Sequence, residues 1–282
     1  MPMKERFFPI PLEQKLTAAD GSRLAAPLTP EDAASLEFVP ERPCVAPVYV
    51  AGVCSSTFDV AWELCKTHDM PPWSAVLAAS QTSGRGQLRR EWVSPPGNLY
   101  VSFFLPPDMG RLENMAPLAV GYCIHCALRD MGITTRLKWP NDLLLCEGGK
   151  EGKFGGLLLE ERKNRFLAGL GLNLRNAPEE AAMRQNRAVP AVSLSGFNGS
   201  AFTFWLELAE RMRDAHAREI AGASRDLLRQ RVERSLAWVG RPVYAEEPGL
   251  HGRLYGLDAD GSLLLQTDAG LAAVNSGSIS PA

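Results

Sequence analysis

The sequence predicts an α+β fold that ends in a small β-rich module. Three patterns point to it. Between Arg136 and Leu174, short apolar runs of strand length alternate with Gly, Pro and charged turns. Stretches near residues 57–66, 113–131, 201–221 and 224–238 carry apolar residues at helical spacing. After Trp238 the chain breaks into short strand patterns separated by tight turns. With 282 residues, 45% hydrophobic and 22% charged, the composition is globular and suits one large domain with an appendage, or two domains.

Each element has a local cause. Residues 1–45 are broken by Pro2, Pro9, Pro11, Pro27, Pro30, Pro40 and Pro43, which predicts an extended arm with at most one short helix over residues 30–36. The stretch is too short and too interrupted for a helix-turn-helix module. "VYVAGVC" then reads as a strand. "SSTFDVAWELCKTH" starts on hydroxyl caps and continues with Phe58, Ala61, Trp62 and Cys65 at helical spacing. "SAVLAAS" and "NLYVSFFL" are strands, and Gly132 ends the helix over 113–131. "TRLKWP", "DLLLC", "GGLLLEE" and "FLAGLGLNL" read as sequential strands. In the tail, Asp260 and Gly261 sit between two strand patterns and mark a hairpin, so residues 238–282 predict a barrel-like module. The body is then residues 46–237.

Charge and cysteines exclude several classes. The formal charge of −2 gives no global field for nucleic acid or anionic membrane, so any anion binding must be local. No apolar run approaches the roughly 18 residues a bilayer span needs. The N-terminal "MPMKERFFPIPLEQK" has no continuous apolar stretch, which predicts a cytoplasmic protein. The six cysteines are scattered through apolar segments, as expected for reduced thiols. Cys123 and Cys126 form a CxxC, but in mid-helix, with no second ligand pair at zinc spacing. They read as core.

Three segments carry potential chemistry. In "QTSGRGQLRREW", Gly84 and Gly86 allow close backbone approach to an anion, and Arg85, Arg89 and Arg90 supply planar donors. By itself such a loop is most often a solvated turn. In "RLKWPNDLLL", Lys138 ends a strand, Trp139–Pro140 imposes an extended corner, and Asn141 and Asp142 offer oxygen ligands of the kind Mg2+ accepts. In "EGKFGGLLLEE", Lys153 precedes a core strand and can stand at the mouth of a pocket, although an isolated lysine there is usually only exposed.

Taken in order, "SST…QTSGRG…W.SPPGNLYVS…KWPND…GKFGGLLLE…GLGLNL" resembles the biotin protein ligase family, in the type without an N-terminal DNA-binding domain. The similarity extends from about Val48 to Ile279. It implies a central mixed, mainly antiparallel sheet backed by helices (the class II synthetase-like, biotin–lipoate ligase fold) and a small SH3-like C-terminal β-barrel. It implies ATP-dependent attachment of biotin to a lysine of a biotin carboxyl carrier domain through biotinyl-5'-AMP. ATP, Mg2+ and biotin would be bound as substrates, with no resident cofactor, no specific DNA, no membrane, and a possible homodimer.

By the same resemblance, Ser56, Thr57, Phe58, Gln81, Arg85, Gly86, Gln87 and Lys153 fall at biotin-contacting positions. Arg90, Trp92, Lys138, Asn141, Asp142 and Asn173 fall on the nucleotide side, with Asn141 and Asp142 toward Mg2+. Lys153, Arg85, Lys138 and Arg90 would neutralise the two anionic reactants, and Leu157 and Leu159 would line or back the pocket. The chain departs from the family pattern at Phe58, where Asn is common, and at Gln87 and Arg89 in the glycine loop. Two alternatives stay open on sequence alone: a non-catalytic biotin- or carrier-binding homologue, and a lipoate or octanoate ligase on the same fold.

Overall fold

A computed structural model describes residues 7–10, 46–87, 90–178 and 189–282. The short helix expected over residues 30–36, most of the N-terminal arm, and Arg89 lie outside the described residues.

Eight strands form one sheet in the order β1-β2-β3-β4-β8-β7-β6-β5. They are β1 (Phe7–Ile10), β2 (Val48–Cys54), β3 (Ala75–Gln81), β4 (Leu99–Phe104), β5 (Thr135–Lys138), β6 (Asp142–Glu147), β7 (Lys150–Arg162) and β8 (Arg165–Leu172). Only β2 and β3 run parallel; every other neighbouring pair is antiparallel. The parallel pair is joined by helix α1 (Thr57–Leu64), a crossover that parallel strands require. Of the N-terminal arm, Phe7–Ile10 adds the edge strand against β2.

Both faces of the sheet are covered, and this explains the continuous apolar runs in its strands. Val48 and Val50 of β2 join one core; Tyr49 and Ala51 join the other. The larger core lies under α2 (Ala116–Asp130), α3 (Ala201–Ala215) and α4 (Arg225–Ser235). The smaller lies under α1, whose Phe58, Ala61 and Trp62 pack against Phe104 and Leu167. Cys123 and Cys126 are fully buried in α2, as core thiols should be. The start of α1 follows the hydroxyl cap read in the sequence, with Ser56 accepting from Phe58 N; α3 and α4 start on caps of the same kind, Ser200 accepting from Thr203 N and Ser224 from Leu227 N. The helix read over residues 201–221 is α-helical only to Ala215; His216–Ile220 widens into a π-helical turn, closed by Ala221 N donating to His216 O.

One expectation needs correction. Lys153 does not precede its strand; it lies inside β7, which starts at Lys150. It pairs there with Leu144 of β6 and bridges to Ala191. Glycines 152, 155 and 156 hid this start, because strand patterns are sought in apolar runs. The expected small β-rich C-terminal module is present as a five-stranded antiparallel sheet. It contains β9 (Pro242–Ala245), β10 (Leu250–Leu257), β11 (Leu263–Thr267), β12 (Gly270–Val274) and β13 (Ile279–Pro281), in the order β12-β11-β10-β9-β13. Among the described residues no pairing joins β12 to β13. The last strand has three residues and ends in a proline, which has no N–H to extend a ladder. This sheet docks on the body through Trp139 Nε1, which donates to Gly261 O at 3.0 Å, and Leu257 N, which donates to Glu233 Oε1 at 2.8 Å.

Trp205 joins the helical layer to the sheet. It is fully buried, with its ring 5.3 Å from that of Phe103. W205A should lower the unfolding free energy by about 3–5 kcal/mol, read as a lower urea midpoint at unchanged m-value.

Candidate active site

A cavity opens on the sheet where α1, the turn after β3, β6 and β7 meet. Its back wall is glycine-rich, because two large rings lie directly on the strands. A Cβ at Gly171 would stand 2.6 Å from Trp92 Cε2, and one at Gly169 would stand 2.3 Å from Phe58 Cε2. No real Cβ tolerates such contacts, so "GLG" in β8 is what lets Trp92 and Phe58 approach the backbone. Phe58 is buried, and Trp92 Nε1 is buried with no hydrogen-bond partner among the described residues.

At one end, Thr57 and Gln81 line the cavity and fix each other. Gln81 Oε1 accepts from Thr57 N at 2.9 Å, while Gln81 Nε2 donates to Ser94 Oγ at 2.9 Å. The Thr57 and Ser102 hydroxyls are 2.7 Å apart. Ser56 does not reach the cavity; it is fully buried as the cap of α1. Gly86 and Gln87 line the rim with Arg90, and Arg90 is exposed. Leu157 contributes to the wall, whereas Leu159 is only partly buried and packs against the larger core.

At the other end one carboxylate holds two lysines. Asp142 Oδ2 accepts from Lys138 Nζ at 2.8 Å, and Asp142 Oδ1 pairs with Lys153 Nζ at 2.7 Å. Burial by itself would raise the Asp142 pKa, but the Lys138 and Lys153 ammoniums outweigh it and hold the carboxyl below the usual range. Lys138 and Asp142 are each 8% exposed, while the Lys153 side chain is 30% exposed and faces the cavity 5.4 Å from the Trp92 ring centre. Lys138 therefore sits behind Asp142, with its ammonium turned to that carboxylate. Asn141 lines the cavity and donates to Leu157 O at 2.6 Å. Asn173 is buried below Lys153, its Nδ2 3.4 Å from Lys153 O.

Arg85 lines the cavity as well. Its guanidinium is not free for an anion: Nη1 bonds Glu160 Oε1 at 2.8 Å and Nη2 bonds Asp59 Oδ1. Sequence reasoning missed both carboxylates. Asp59 reads as an ordinary acidic residue in a first helical turn, and Glu160 as the charged end of a strand. It also missed Ser278, whose Oγ accepts from Lys138 Nζ at 3.0 Å, and Gly277, which closes the cavity from the C-terminal sheet. No local pattern links them to Lys138 across that much sequence.

The residues expected to meet Mg2+ do not make a metal site by themselves. Asp142 has both oxygens engaged by ammonium groups, Asn141 supplies one amide oxygen, and no cluster of three His, Cys, Asp or Glu occurs among the described residues. A magnesium ion at this corner would arrive on a nucleotide's phosphates.

Residues 50–175 match the Biotin/lipoate A/B protein ligase family, and residues 239–280 match the Biotin protein ligase C terminal domain. The biotin–[acetyl-CoA-carboxylase] ligase of Paracoccus denitrificans is 34% identical over 215 residues, covering 69% of this chain and 85% of the relative. The bifunctional ligase/repressor BirA of Escherichia coli is 30% identical over 205 residues, again covering 69% of this chain but only 62% of that longer protein. Among solved structures, the biotin protein ligase from Aquifex aeolicus in complex with biotin and ATP superposes with a TM-score of 0.67 at 28% identity, covering 83% of this chain and 97% of that one. Both parts are matched in order, and a relative one-third identical is covered over most of its length. This chain belongs to the biotin protein ligase family.

Proposed function

We infer that this protein attaches biotin to a lysine of a biotin carboxyl carrier domain in two ATP-driven steps. The observation that carries the reading is the cationic corner built by Lys138, Asp142 and Lys153 at one end of a cavity whose other end is the Thr57–Gln81 pair. The corner has a net charge of about +1, so it attracts anions without stacking bare positive charges. Membership of the family supplies the substrate class. No helix among the described residues is long and apolar enough to cross a membrane, in keeping with a reaction among water-borne partners.

In the first step a carboxylate oxygen of biotin attacks the α-phosphorus of ATP. The bond from that phosphorus to the bridging oxygen breaks, and pyrophosphate leaves with the electron pair. Negative charge builds on the phosphoryl oxygens, and Lys153 is the exposed ammonium placed to meet it. Lys153 can turn from Asp142 toward the substrate because Lys138 remains to pair the carboxylate. Trp92, with its unpaired Nε1–H, and Arg90 at the rim face the nucleotide; Asn141 and the buried Asn173 hold the strands beneath it. Thr57, Gln81 and Gly86 present the polar contacts for the biotin ring system, Ser56 supports them from behind, and Phe58 and Gln87 complete the acid end. In the second step the neutral amine of the carrier lysine attacks the acyl carbon, the bond to the phosphate oxygen breaks, AMP departs, and the amine loses its proton.

The direct test is acid-dependent pyrophosphate exchange, followed by mass spectrometry of a carrier domain with and without ATP. Biotin should support exchange and add one biotinyl mass; exchange with lipoate or octanoate alone would overturn the assignment. K153A should slow single-turnover adenylate formation by about 100- to 1,000-fold while the fold persists, measured by rapid quench. Asp142 gives a pH signature. Its folded-state pKa lies below the unfolded value, so its stabilising contribution is complete above the ordinary carboxylate pKa of about 4 and is lost as pH falls through the folded value. D142N should be less stable than the parent at pH 7, and the gap in urea midpoint should narrow as pH drops below about 4.

A further inference from the structure

The glycine loop is held by its central arginine in a way the family reading does not require. Arg85 stands between Gly84 and Gly86. Gly84 O accepts from Trp92 N at 2.9 Å and Gly86 N donates to Arg90 O at 2.8 Å, so Gly84–Gly86 and Arg90–Trp92 pair side by side. Both ends of the Arg85 fork then leave this pair, one for Asp59 on α1 and one for Glu160 on β7. The receiving carboxylates are themselves anchored. Asp59 Oδ2 accepts from Ser55 Oγ at 3.0 Å. Glu160 Oε2 accepts from Trp62 Nε1 at 2.9 Å and from Arg162 Nη2 at 3.1 Å.

The charges decide between two roles. Asp59 and Glu160 carry two negative charges, and Arg85 and Arg162 carry two positive ones, so the cluster is neutral and has no spare cation for a substrate. Burial opposes the charged guanidinium, yet the Glu160 and Asp59 carboxylates outweigh it and hold Arg85 above its ordinary pKa. Each pair is partly exposed, so a single one would be screened. A planar fork fixed at both ends to two different elements has the geometry that makes such pairs hold.

We propose that Asp59, Arg85 and Glu160 form a staple that fixes the paired segments Gly84–Gln87 and Arg90–Trp92 beside the acid end of the cavity, with Asp59 and Glu160 acting as positioning residues for adenylate formation and retention. The inference rests on the proposed reading of that cavity. The staple ties together the two elements that flank the acid site, α1 with Thr57 and Phe58, and β7 with Lys153 and Gly156, through the paired segments that carry Gly86, Gln87 and Trp92. Loosening it would let these segments open while the acyl-adenylate is bound, and water would compete with the carrier lysine.

The two roles of Arg85 predict opposite signs for one substitution. If Arg85 neutralised the biotin carboxylate, D59N would remove a competing carboxylate and tighten biotin binding. If Arg85 is a staple, D59N should raise the biotin KM by roughly five- to tenfold, as expected for loss of one charge-assisted bond. The ratio of AMP released to carrier biotinylated should rise with it, a leak that a purely structural defect would not produce, and D59E should restore both. Asp59 also lies in the first turn of α1, where its charge favours the helix. R85K is therefore the second test, since it leaves α1 unaltered and one ammonium cannot span both carboxylates. It should leak like D59N. A lower or unchanged biotin KM in D59N, or an R85K variant that couples AMP release to transfer as the parent does, would overturn the staple. Absence of biotin-dependent exchange in the parent protein would instead overturn the functional reading.

Discussion

The cavity is organised by a buried carboxylate that two lysines share. Asp142 begins β6, Lys138 ends β5 on the other side of the Trp139–Pro140 corner, and Lys153 reaches across from β7. An unpaired carboxylate at this depth would be driven to protonate, and two unpaired ammoniums would repel. Together they are stable and cationic. The register of the three strands follows from the same requirement. Lys138 pairs with Asp142 along the ladder, and the β6–β7 irregularity at Leu143–Leu144 brings Lys153 to the same carboxylate. A slip of one residue on any of these strands would turn one of the three groups to the opposite face.

The rest of the cavity solves a packing problem. A site for an acid and a nucleotide needs large flat surfaces next to a backbone that also holds a sheet together. Glycines at 156, 169 and 171 provide the room, and Phe58 and Trp92 take it. Phe58 also belongs to the core beneath α1. Phe58 therefore braces the helix that carries Thr57. The acid end is set as much by this apolar support as by the hydrogen bonds of Gln81.

Most strands and helices were legible because their causes are local: the hydroxyl cap at Ser56, apolar spacing along the helices, apolar runs in the strands, and glycine after α2. The site was legible as a set of motifs, because the residue types in "GRG", "KWPND" and "GKFGG" are constrained by chemistry. Their partners were not. Whether Arg85 is free or clamped depends on Asp59 and Glu160, which stand 26 and 75 residues away and carry no pattern of their own. Whether Lys138 lines the cavity or sits behind it depends on Asp142 winning the contact.

The C-terminal sheet shows how a small module can matter beyond its size. It is too small to bury much core of its own, and it leans on the body through Trp139 and Glu233. In return, Gly277 closes the cavity and Ser278 gives Lys138 a second acceptor. Lys138 is the more buried of the two ammoniums on Asp142. A hydroxyl from the tail therefore stands one bond from the balance on which the cationic corner depends, and docking of the tail and competence of the corner become one structural event. That coupling accounts for the second module being fixed to the mouth of the cavity instead of hanging from a free linker.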